Sequence, residues 1–141
     1  MERMADLITY YEAPFALTKK VVNLYDEDLN SCPVPYLPIY LDTHGEKFTV
    51  VDRDLYNRLI HPTWGKWYIH KARRGKYVRS FKPGYLREYL HILVKKLRRT
   101  KKPTPNHVVR HKNGNTMDNR SCNLVWGTRA KNLNDTPYVG D

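Results

Sequence analysis

The sequence predicts an α+β fold of small antiparallel hairpins and short helices. Three observations carry this. Runs of β-favouring residues come in pairs separated by turn residues, one long segment repeats apolar residues at helical spacing, and the C-terminal segment reads strand, loop, strand, helix. At 141 residues and 40% hydrophobic content, the chain can build a core without disulfide or metal staples.

Residues 1–45 are broken up by Pro14, Pro33, Pro35 and Pro38 and dotted with tyrosines. Ala16–Leu24 fits a short helix or strand, and the Pro-spaced run Pro33–Leu41 predicts an extended, polyproline-like or edge segment. The region is open to three roles: an arm, a packing strap or a surface for a partner protein. From Lys47 the pattern sharpens. Lys47–Val51 reads as a strand, and Asp52 is placed to cap a short helix, Arg53–Ile60, with Leu55 and Leu59 on one face. Lys66–His70 and Lys76–Arg79 read as two strands joined by the basic turn Lys71–Gly75. After the Pro83-Gly84 turn, Leu86, Tyr89, Leu90, Leu93, Val94 and Leu97 predict a helix over Tyr85–Arg99, its last turns crowded with Lys95, Lys96, Arg98 and Arg99 as the helix dipole favours. Thr100–Pro105 is a loop. Val108-Val109 then forms a strand ending at His111, Asn113-Gly114-Asn115 a tight turn and Leu124–Trp126 a second strand, with Thr128 capping a terminal helix, Arg129–Asp135.

The charge is uneven. The chain carries 25 Lys and Arg against 14 Asp and Glu, a net +11. Residues 66–112 hold 16 basic side chains and one acid, Glu88, whereas residues 1–65 are net acidic. So dense a positive segment repels itself unless an anion is near, and it favours a nucleic-acid partner over an acidic membrane. The two cysteines, Cys32 and Cys122, cannot supply a four-ligand zinc cage and are not expected to organise the fold, which suits a reducing, cytoplasmic setting. No stretch reaches 18 apolar residues, and the acids near Met1 argue against a signal peptide, so neither membrane insertion nor export is expected.

The string His111, Asn113-Gly114-Asn115, Asp118-Asn119-Arg120, Asn123-Leu124, Trp126-Gly127-Thr128 and Asn132 resembles the HNH nucleases of the ββα-metal superfamily, in particular phage-borne HNH homing endonucleases. Weaker likeness extends upstream through Phe48–Trp67 and the His91-bearing helix, for a coverage of about residues 46–136. The resemblance implies catalytic roles for His111, Asn123 and Asn132. His111 is the general base, which an imidazole titrating near neutrality can perform. Asn123 holds the loop by bonding across it. Asn132 is the metal ligand, its amide oxygen suited to one divalent ion, Mg²⁺ or Mn²⁺. The expected substrate is double-stranded DNA, gripped by Lys71, Arg73, Arg74, Lys76, Arg79, Arg110 and Lys112, with the helix end Lys95–Lys102 adding phosphate contacts.

One position departs from the family. An acidic or His metal ligand usually precedes the catalytic His, and here Arg110, which cannot bind a cation, stands there. Either Asn132, phosphate oxygens and water hold the ion, or another group such as Asp118 or Asp135 helps. Asn119 reads as a turn residue, His91 as a core or supporting His, His107 as peripheral on the His111 face, and Trp67 and Trp126 as core. The organisation expected is therefore 1–45, an unassigned arm or segment for a phage or host protein; 46–102, a basic DNA-gripping region; and 103–141, the HNH motif. The alternative function is a catalytically weak or inactive HNH scaffold that binds DNA, RNA or a host protein, favoured by Arg110 and the acidic, Tyr-rich front.

Overall fold

The extended segment predicted by the prolines is strand β1 (Tyr36–Tyr40). It pairs antiparallel with β2 (Phe48–Asp52), with Pro38 opposite Val50. The computed structural model describes residues 32–128. The residues expected to form the terminal helix, Asn132 and Asp135 among them, lie outside that range, as do residues 1–31.

After β2 the chain makes a 3₁₀ turn, Arg53–Leu55, and one turn of helix, α1 (Tyr56–Leu59), which bury Leu55 and Leu59 as expected. Asp52 does not cap this helix. Its carboxylate accepts instead from the Ser121 backbone N–H at 2.7 Å and from the Ser121 hydroxyl and the Arg98 guanidinium, so it ties the helix region to the C-terminal hairpin. Burial explains the change: Asp52 is almost fully enclosed, and a guanidinium and a hydroxyl compensate a buried carboxylate better than one helix N–H.

The basic hairpin is β3 (Lys66–Ala72) and β4 (Gly75–Phe81), longer than predicted and closed by Arg73-Arg74 alone. Trp67, Val78 and Ser80 lie buried on one face of it. The helix expected from Tyr85 begins five residues later, as α2 (Leu90–Leu97). Residues 86–88 form no regular element: Ser80 N–H donates to Glu88 O and Arg79 bridges Tyr89, which holds this stretch at the sheet edge. Leu86, placed on the apolar stripe by its spacing, is 97% exposed. The last pair is β5 (His107–His111) and β6 (Leu124–Thr128), with His111 opposite Leu124.

One core gathers residues from all three hairpins and α2: Ile39, Val51, Leu59, Trp67, Val78, Leu90, Val94, Val109 and Leu124. β2 is its spine and is buried along its whole length. β1 covers one edge of β2. The 115–119 loop covers the other, through Val50 N–H to Met117 O at 3.0 Å and Asn119 N–H to Val50 O at 2.9 Å. Cys32 and Cys122 are joined as a disulfide that spans 90 residues. The expectation that the cysteines take no part in organising the fold is thus corrected. A composition count cannot foresee that the Arg120 guanidinium donates to Cys32 O and brings the two segments together. Among the described residues no helix is long and apolar enough to cross a membrane.

Candidate active site

The site is built on the loop between β5 and β6. Asn113-Gly114-Asn115 turns the chain sharply, with Gly114 at φ 80°, a conformation glycine adopts without cost. Asn115 N–H donates to Asn113 Oδ1 and Met117 N–H to Asn115 Oδ1, both at 2.9 Å, so the asparagines substitute for missing backbone partners. Asn123 closes the loop. Its Oδ1 accepts from Asn113 N–H at 2.9 Å, and its Nδ2 donates to Asn113 Oδ1 at 3.0 Å and to Asp118 O at 2.9 Å.

Asp118 and Arg120 form a bidentate ion pair inside the loop, Nε to Oδ1 at 2.7 Å and Nη2 to Oδ2 at 2.8 Å, and both are fully buried. Asn113 Nδ2 also donates to Asp118 Oδ2. The expectation that Asp118 could replace the missing acidic metal ligand is therefore corrected: both of its oxygens are consumed by the loop.

His111 ends β5 with 5% of its surface exposed. Its Nε2 lies 2.8 Å from Asn119 Oδ1. Its ring sits 5.1 Å from that of His91 on α2 and 6.2 Å from that of Tyr77 on β4. Burial lowers the proton affinity of His111, opposed in part by the Asn119 hydrogen bond and the charge of Asp118. Burial, and then the neighbouring His111, hold His91 well below the ordinary imidazole range. Both rings are accordingly neutral at pH 7. His107 lies on the same face of β5 at its outer end, bonded to Thr104 at 2.7 Å.

The basic residues divide. Arg73 and Arg74 are exposed at the hairpin tip, and Lys71 pairs across the strands with Lys76. Arg79 projects from the opposite face, the one that carries Tyr77. Its guanidinium lies 5.0 Å above the Tyr89 ring, and its Nε is buried without a hydrogen-bond partner. Arg110 leaves β5 on the face opposite His111, its aliphatic stem crossing Gly127 so closely that a Cβ there would clash. Lys112 is exposed beside the loop. At the end of α2, Arg98 is not a phosphate contact, because it bridges Asp52 and Asp54. Trp67 is core, donating to Leu59 O at 2.8 Å, and Trp126 packs against the core at its margin.

Residues 88–134 match the HNH endonuclease family model. The match covers a third of the chain and makes that segment similar to HNH endonucleases. It takes in α2 with His91, the whole β5–β6 hairpin and its loop, while residues 46–87 lie outside the match. Comparison with curated proteins and with solved structures gives no match. HNH nucleases generally use a divalent metal. Among the described residues, however, no three His, Cys, Asp or Glu side chains converge, and the described donors do not assemble a metal site by themselves.

Sequence reasoning passed over Asn119 as a turn residue and Thr49 and Tyr77 altogether. The Asp-Asn-Arg string carried a signal for Asn119. Nothing local marks Thr49 or Tyr77, whose neighbours are 70 and 34 positions away along the chain.

Proposed function

We propose that the chain is a metal-dependent endonuclease that nicks or cuts duplex DNA, of the phage homing type that its motif resembles, acting in the host cytoplasm. One observation supports this above the rest. The HNH segment presents, at the end of β5, an imidazole kept neutral at pH 7 by burial and therefore ready to accept a proton. His111 takes the proton of the attacking water, and the phosphodiester bond breaks on the far side of phosphorus.

Asn123 holds the loop that carries His111 in place. Arg79, a guanidinium on the Tyr77 face with no carboxylate partner among the described residues, the exposed Arg73, Arg74, Lys71 and Lys112 and the half-buried Lys76 bind phosphates, with Arg110 on the neighbouring face of the hairpin. A divalent ion, Mg²⁺ or Mn²⁺, when bound supplies charge neutralisation at the phosphate and leaving oxygen. Asn132 would hold it together with substrate phosphate oxygens and water. Residues 46–102 form the gripping region and 103–141 the nuclease motif; of residues 1–45, expected as an arm or partner segment, 36–40 belong to the core as β1, which corrects that boundary, and the remainder serves a phage or host partner.

A second reading, an HNH scaffold that binds nucleic acid without cutting it, is favoured by two observations: Arg110 stands at the usual ligand position and Asp118 is consumed by Arg120. Supercoiled plasmid incubated with the protein in Mg²⁺, Mn²⁺ or EDTA separates the two. The nuclease reading expects open circles with metal and none with EDTA. Tight duplex binding with no strand break in either metal would establish the scaffold instead.

A further inference from the structure

We infer that Asn119 is a positioning residue that locks His111 in one tautomer, with the proton on Nε2 and the lone pair on Nδ1, and that strand β2 sets this lock through Thr49. The inference rests on the reading of His111 as the base and adds which nitrogen acts and what aims it.

The argument is one of donors and acceptors. A carboxamide's oxygen only accepts and its nitrogen only donates, so its partners decide its orientation. Asn119 is buried, with 1% of its surface exposed. Its Nδ2 donates to Thr116 O at 3.0 Å, a backbone carbonyl that can only accept. It also donates to Thr49 Oγ1 at 2.8 Å. The Thr49 hydroxyl spends its own proton on Met117 O at 2.7 Å, another carbonyl, so its oxygen faces Asn119 as an acceptor. Turning the amide over would set an oxygen against two acceptors inside the core and leave each of them unsatisfied. Asn119 Oδ1 is thus fixed toward His111, and the 2.8 Å contact to Nε2 requires a proton on Nε2.

In a neutral imidazole that leaves the lone pair on Nδ1. Nδ1 makes no hydrogen bond among the described residues. The ring nitrogen left without a hydrogen-bond partner among the described residues is therefore the one that carries the lone pair and is able to accept a proton.

The lock is built from outside the matched HNH segment. Thr49 lies on β2, and the loop is stitched to β2 by Val50 on either side of Asp118. The other groups facing the ring are His91 from α2 and Tyr77 from β4, with Asp118 acting through its charge. None of them accepts a hydrogen bond from either ring nitrogen, so the tautomer depends on Asn119.

The test uses the full chain with ¹⁵N-labelled histidine and single-turnover cleavage of a duplex across pH. In wild type, the His111 resonances should show a protonated Nε2 and an unprotonated Nδ1. Asn119→Ala should convert them to a tautomer mixture and lower the plateau rate about 10–100-fold, the usual cost of losing such a support. Asn119→Asp keeps an acceptor toward Nε2 but adds charge and sets its second oxygen against Thr116 O, so it should hold the tautomer less firmly than wild type and move the rising limb of the rate to higher pH. If the Asn119 variants fail to fold, Thr49→Val and Thr49→Ser carry the test: Val should loosen the tautomer and slow cleavage, and Ser should restore both.

A protonated Nδ1 in wild type would overturn the inference, as would an Asn119→Ala protein with an unchanged tautomer and plateau. Failure of the underlying reading looks different. If His111→Ala cleaves as well as wild type while the wild-type tautomer is as described, the lock stands and the base assignment falls.

Discussion

Replacing Arg120 with Met keeps most of the side-chain stem but removes the guanidinium from the centre of the β5–β6 loop. The Asp118 carboxylate, wholly buried, then loses its contacts at 2.7 and 2.8 Å. It keeps one good donor, Asn113 Nδ2 at 3.0 Å. Breaking a buried pair on one side costs about 3–5 kcal/mol, and the remaining Asn113 bond places this case near the lower figure. For a chain of this size about 3 kcal/mol corresponds to a fall of roughly 12 °C in Tm. The measurement is thermal unfolding followed by circular dichroism, in reducing buffer so that the Cys32–Cys122 bridge does not mask the effect. Arg120→Met combined with Asp118→Leu should recover at least half the loss, since hydrophobic replacement of a whole buried pair is often close to neutral. A cost for Arg120→Met below about 1 kcal/mol, the range of exposed pairs, would refute the argument, because the pair would then not be buried as described.

Stability should fall on acidification. His91 and His111 bind protons more weakly folded than unfolded, so below the unfolded value of about 6.5 the unfolded state holds more protons and stability drops, by at most about 2.7 kcal/mol per pH unit for the two together. His91→Phe should halve that slope in urea titrations between pH 5 and 7, and a flat wild-type profile would contradict it. Leu86→Ser should change stability by less than about 0.5 kcal/mol whereas Leu90→Ala should cost about 2–5 kcal/mol; equal costs in urea unfolding would return Leu86 to the helix. Duplex affinity should fall steeply with salt, and replacing Arg73, Arg74 and Lys76 with Ala should reduce the slope of log Kd against log salt by roughly 2–3. An unchanged slope takes the hairpin off the DNA.

Local patterns carried most of the architecture. Each strand of the described region, the Gly114 turn and the apolar face of α2 were legible because periodicity and turn chemistry act over a few residues. The reading failed where a distant partner outcompeted a local one. Asp52 looked like a cap and serves Ser121 and Arg98. Tyr85 to Glu88 had helical spacing, but Glu88 bonds to Ser80 and Tyr89 bridges Arg79 at the edge of β4. The Cys32–Cys122 bridge depends on Arg120 reaching Cys32 O across the fold. At the site, the spacing of His111 and Asn123 was legible, and Asn132 lies outside the described residues. The roles of Asn119 and Thr49 were not legible, because a hydrogen-bond chain between β2 and the loop exists only once the two are packed together.

The most direct test of the central claim is to measure cleavage and binding of one DNA duplex by wild type and His111→Ala side by side. With His111 as the base, and the phosphate grip on the basic hairpin, the variant should lose at least about 100-fold in single-turnover cleavage rate. Its Kd should stay within about threefold of wild type, less than 0.7 kcal/mol of binding energy. Cleavage by His111→Ala within a few-fold of wild type would contradict the account.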